Sequence, residues 1–233
     1  MKNELLMFFK DSRNSVSREK ILNLKLIYDL KVAAAIRNYD LRVFIPDVDR
    51  EGYDLILDDG DDIRKYQIKS IVSAKTSSWD INKNLFRLPY YMIEKFNLTQ
   101  SPETSGIGGG FVLIQADIRD SDIIFTYFYT DIYLILAMKY GLLKKSRLPS
   151  LNDVNKLLFS NIFSGRGKDK VKLTKSFLVK AKGKEELLAL MGMHSRFEGK
   201  YWINNFIGYL NDSKSKKVHQ KLLEDIFKKI IVL

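Results

Sequence analysis

The segment EGYDLILDDGDDIRKYQIKS, residues 51–70, constrains the fold more than any other part of this chain. Apolar residues alternate with polar ones on both sides of an acid-rich turn centred on Gly60, which predicts a β-hairpin. Asp58, Asp59, Asp61 and Asp62 read as the solvated acids of that turn. Three polar residues sit inside the strands instead. Asp54 opens the first strand, and Gln67 and Lys69 punctuate the second. Alternate side chains of a strand share a face, so Gln67 and Lys69 point one way while Tyr66, Ile68 and Ser70 point the other. Asp54 lies across the hairpin from them. A carboxylate, an amide and an ammonium are thereby aimed at one small volume.

The flanking sequence supplies the rest of a mixed fold. Residues 17–38 contain neither Gly nor Pro and predict a long helix with Ser17 as its N-cap. Its apolar stripe runs through Leu22, Leu26, Val32, Ala33 and Ile36 at helical spacing. LRVFIP (41–46) reads as a strand that ends at proline, and LPYYMIEKF as a helix. SPETSGIGGG reads as a flexible connection; it lacks the Gly-Lys-Ser/Thr ending of a P-loop and runs into a strand. FVLIQADI and DIIFTYFYT are two more strands, the second leading into a helix near 132–140. These elements predict an α/β or α+β core over residues 1–143, with a mixed β-sheet flanked by helices. Residues 144–233 predict a mainly helical region.

Charge divides the chain at the same place. Of 39 Lys+Arg and 28 Asp+Glu, residues 144–233 hold 20 basic and 8 acidic, while residues 1–143 are nearly balanced. Such asymmetry suggests a polyanion-binding surface toward the C-terminus. The absence of cysteine excludes a thiolate nucleophile and cysteine-ligated zinc, and suits a reducing cytoplasm. The two histidines, His194 and His219, are too few for a histidine metal cluster. The first residues hold an apolar run of only five, and no later stretch offers about 20 apolar residues. A cytoplasmic protein with no membrane partner is expected.

Asp29 falls on the apolar stripe of the long helix, where a carboxylate is costly unless it is paired or binds a metal. With it, the order becomes helix acid, strand, Gly52-Tyr53-Asp54 before a second strand, and Gln67-Ile68-Lys69 on a third. This order resembles the PD-(D/E)XK nuclease superfamily, the restriction-endonuclease-like fold that includes Mrr-type enzymes and Holliday-junction resolvases. The resemblance covers about residues 17–140. It implies a Mg²⁺-dependent endonuclease, with Mn²⁺ as an alternative ion, acting on duplex DNA in restriction or defence, or in repair or mobile-element movement. It implies Asp29, Asp54, Gln67 and the backbone carbonyl of Ile68 as metal ligands, with Glu19 as the alternative helix acid, and Lys69 as the catalytic cation. An oxygen-ligated Mg²⁺ suits phosphodiester hydrolysis because it neutralises charge and activates water. Gln67 departs from the acidic form of the motif and brings no charge. A nuclease fold that binds nucleic acid without cutting it is therefore the alternative expectation.

Arg166, Lys168, Lys170, Lys172 and Lys175 are candidate phosphate contacts. Arg196 and Lys200 join them in a segment that also contains Trp202, where base stacking competes with core packing. Many relatives act as homodimers. The last amphipathic stretch, KKVHQKLLEDIFKKIIVL, could serve as a dimer face or pack on its own core.

Overall fold

The computed structural model describes residues 4–47, 52–72, 76–98, 104–119, 122–143, 148–164, 169–195 and 199–232, the side chains of 199–201 excepted. Helix α1 (Glu4–Lys10) is followed by α2 (Ser15–Ala35), strands β1 (Arg42–Phe44), β2 (Leu55–Asp58), β3 (Ile63–Val72) and β4 (Ser78–Asn82), and helix α3 (Tyr90–Lys95). Then come β5 (Gly109–Arg119), β6 (Asp122–Asp131), α4 (Ile132–Lys139), α5 (Leu151–Asn155), β7 (Lys170–Thr174), β8 (Val179–Lys180), α6 (Lys184–Leu190), α7 (Gly199–Asn211) and α8 (Lys216–Ile230). The predicted long helix is present but begins two residues early. Its N-cap is Asn14 rather than Ser17, after a 3-10 turn that Asp11 caps.

Six strands form one mixed sheet in the order β1-β2-β3-β5-β6-β8. Every pairing is antiparallel except β3 with β5, which run parallel over eight residue pairs. A parallel pair needs a long crossover, and here β4, a 3-10 turn and α3 provide it. Strand β5 starts with six consecutive buried residues, the pattern of a central strand covered on both faces.

Directly paired residues share a face, so the registers sort the sheet into two sides. Tyr66, Ile68 and Ser70 of β3 join Val112 and Ile114 of β5 and Tyr129 and Tyr127 of β6 on one side. That side carries α2, through Tyr127 and Asp29, and the end of α6, where the Tyr66 hydroxyl donates to the Met191 carbonyl at 2.9 Å. Gln67, Lys69, Phe111, Leu113 and Gln115 occupy the opposite side. The two-stranded β4–β7 sheet packs there, with the Trp79 ring 6.2 Å from that of Phe111.

The C-terminal region is mainly helical, yet it is built into the same core. It supplies β7 to the small sheet and β8 to the large one, and a single cluster of buried side chains runs from Phe9 to Ile231. Trp202, a candidate for base stacking from sequence, belongs to this core. Trp202 is fully buried, donates through Nε1 to the Ala189 carbonyl, and meets Phe227.

Candidate active site

Strand β2 pairs with β3 only from Leu55 onward, opposite Tyr66. Just before that point Asp54 turns its carboxylate onto β3 and accepts the Ile68 amide at 2.6 Å, while its own amide donates to the Tyr66 carbonyl at 2.8 Å. The carboxylate thus takes a β3 donor that the ladder no longer satisfies. The carbonyl of Ile68 shares that edge of the strand and faces the same gap, because the N–H and C=O of one strand residue point to one side. Gly52, at φ 77°, makes this entry feasible: a Cβ there would lie 2.4 Å from Asn82. The left-handed conformation and the close approach both require glycine.

Gln67 is 5% exposed, and its side-chain oxygen accepts the amide of Asn82 at the end of β4, 3.1 Å away. Lys69 emerges on the same side of β3 and is exposed. Asp54, Ile68, Gln67 and Lys69 are therefore neighbours around the point where β2 leaves β3. The available donors at this point are oxygens carrying one negative charge. They fit a hard cation that keeps several waters, provided that the Gln67 oxygen turns from Asn82. Among the described residues, no group of three or more His, Cys, Asp and Glu could hold a metal ion.

The helix acid does not join them. Asp29 is buried on the other side of the sheet, where it accepts Lys25 Nζ at 2.6 Å and the Tyr127 hydroxyl at 2.5 Å. Tyr127 belongs to β6, three strand positions from β2, or about 14 Å at ordinary strand spacing. Asp29 cannot share an ion with Asp54; its place on the apolar stripe is explained by pairing. Burial, then the hydrogen bond and charge of Asp29, push the Tyr127 hydroxyl well above its ordinary pKa. Glu19 is exposed near the start of α2, about 15 Å further along the axis from Asp29.

Of the basic candidates, Arg166, Lys168 and Arg196 lie outside the described residues, and Lys200 falls in the first turn of α7. Lys170 and Lys172 project from the outer side of β7, alternating with buried Val171 and Leu173. Lys175 folds inward instead. Its ammonium donates to Gln115 Oε1 at 3.0 Å and lies 4.6 Å from the centre of the Phe128 ring. The histidines are partnered: the His194 amide donates to Asp59 Oδ2, and the His219 ring meets Asn205 Oδ1.

No family model, curated protein or solved structure matches this chain. Asn82 was not legible as a neighbour of Gln67. The signal was present in SWDIN, whose Trp79 and Ile81 are buried while Asp80 is exposed between them.

Proposed function

We propose that the chain is a metal-dependent endonuclease of the restriction-endonuclease-like type, acting on duplex DNA. The observation that carries this reading is the meeting of Asp54 with Gln67-Ile68-Lys69 where β2 parts from β3. The order helix, three antiparallel strands, helix, then a strand parallel to the third supports it. In this reading Asp54, the Ile68 carbonyl and Gln67 hold Mg²⁺ or Mn²⁺, which when bound supplies charge neutralisation and a water of lowered pKa. Lys69, whose side chain is exposed, neutralises a non-bridging phosphate oxygen or orients the attacking water. Lys170 and Lys172 add phosphate contacts that carry no sequence information. Restriction or defence is the setting that suits such an enzyme best, with repair or mobile-element cleavage next. A homodimer would bring one site to each strand.

A second reading has its own support. Gln67 is uncharged and already bonded to Asn82, and Asp29 is committed to Lys25 and Tyr127, so the fold could serve binding alone. The deciding experiment is cleavage of mixed-sequence duplex DNA, unmodified and methylated, with Mg²⁺ or Mn²⁺. Wild type is compared with Asp54→Asn, which keeps an acceptor for the Ile68 amide, and with Lys69→Ala. The nuclease reading requires metal-dependent cutting that both substitutions reduce by about a hundredfold or more. If none of the three cuts and all bind DNA alike, the binding reading replaces it.

A further inference from the structure

A cavity of about 630 Å³ opens where β3 and β5 begin, and none of its lining residues belongs to the Asp54–Lys69 cluster. Arg64 on its wall and Lys69 are five residues apart along β3 and point to opposite sides of the sheet, about 16 Å apart. The volume falls in the range of small-molecule sites. Of the glycine-rich segment that reads from sequence as a flexible connection, the part from Ser105 to Gly109 forms one wall. It is pinned in place: Ser105 bridges to Leu88, and the Gly106 amide donates to the Leu88 carbonyl at 3.0 Å. At Gly108 a Cβ would lie 2.5 Å from the Arg87 carbonyl, so the segment packs backbone against backbone on the Arg87 stretch.

Two arginines line the space. Arg64 is held by the Met191 carbonyl at 2.6 Å and lies 3.8 Å from Asp131, so part of its charge is already balanced. Arg87 differs: its Nε is buried and has no hydrogen-bond partner among the described residues. A buried donor left unmatched within the protein points to an acceptor from outside it. The acid on the lining, Asp62, already has a partner. Ile107, Ile132, Ile203 and Tyr133 supply apolar and aromatic surface to the lining, and Asn204 adds an amide. A cation with an unmatched donor, apolar and aromatic side chains and an amide gathered in one cavity suit the phosphate, the base face and the base edge of a nucleotide.

We propose that this cavity binds a 5′-phosphorylated nucleoside, with Arg87 on the phosphate and the base against Tyr133 and the isoleucines. The site is separate from the proposed nuclease centre and does not depend on it. The test is isothermal titration of the whole protein with AMP, GMP, CMP and UMP, with adenosine and inorganic phosphate as comparisons. At least one nucleotide binds with a dissociation constant below about 1 mM, and its unphosphorylated nucleoside binds at least about tenfold more weakly. Arg87→Gln weakens that binding by about tenfold or more, and Lys69→Ala leaves it unchanged. Ile107→Trp, at a position 72% exposed, occludes the cavity without burdening the core and serves if Arg87→Gln fails to fold. A 5′-phosphorylated tetranucleotide that binds more tightly than the mononucleotide identifies a strand end as the ligand; equal or weaker binding identifies the free nucleotide. The proposal is overturned if none of the four nucleotides binds below about 5 mM, or if Ile107→Trp and Arg87→Gln both bind as wild type does.

Discussion

Two buried carboxylates show how differently the same group can be accommodated. Asp29 has an ammonium and a phenol hydroxyl on its two oxygens, so nothing about its burial calls for a metal. Asp29→Ala strands the Tyr127 hydroxyl at 6% exposure and should cost about 1–3 kcal/mol in urea unfolding. If the chain cuts DNA as proposed, cleavage measured below the unfolding temperature should stay within about twofold of wild type; a loss comparable to that of Asp54→Asn would return Asp29 to the proposed metal site. Asp131 is fully buried, caps α4 through the Leu134 amide at 2.8 Å, and accepts the Tyr129 hydroxyl at 3.0 Å. Burial raises its pKa from 3.8 to about 6, against the opposing pull of Arg64 and these hydrogen bonds. Between those two values the folded chain binds the proton and the unfolded chain releases it, so Asp131 adds stability as pH falls through the window. The melting temperature of wild type minus that of Asp131→Asn should therefore grow as pH is lowered from 7 to about 4.5. A difference that shrinks over this range contradicts the assignment.

At the scale of elements, the parallel β3–β5 contact organises everything else, and it rests on the absence of side chains. A Cβ at Gly109 would lie 2.0 Å from the Lys65 carbonyl, within the β3–β5 contact itself. Gly109→Ala has no side-chain tip that could yield, and should lower stability by about 3 kcal/mol or more. Gly60→Ala, in a turn with open space around the site but φ 89°, should cost less, about 1 kcal/mol. Comparable losses at the two sites would show that β3 can move aside for a methyl group at Gly109, and would contradict the assignment. The elements legible in the sequence are those whose period decides their burial: α2, the hairpin, β5, β6 and α8. Strand β4 was hidden because its polar residues include Asn82, whose work is done by its backbone amide. Asp29 was misplaced for a related reason. Helical periodicity shows that a residue faces inward, but not which strand it meets, and the site depends on that second fact. The cavity beside Arg87 was beyond reach because it joins six separate stretches of chain, β3, α4 and α7 among them.

At the scale of the molecule, the excess positive charge of residues 144–233 does not reside on a detached lobe. Strand β7 and helices α6 to α8 share one core with the sheet, so the charge on the described residues belongs to a single body. Only lysines on outward positions can then meet a polyanion, and the two sides of β7 differ. Lys170 and Lys172 point outward, with Lys172 opposite Asp80 on β4; Lys175 is turned in to Gln115 and Phe128. Exposed charges on facing strands contribute little to stability, so Lys172 can reach a phosphate at small cost. Removing one lysine that neutralises a phosphate should reduce the slope of log K against log salt by about 0.9. Lys170→Gln combined with Lys172→Gln should therefore flatten the salt dependence of duplex binding by roughly 1.8, with little change in melting temperature. Lys175→Gln should leave the slope as it is and lower the melting temperature instead. The opposite partition would mean that Lys175 swings out to the nucleic acid and that the β7 lysines serve the fold alone.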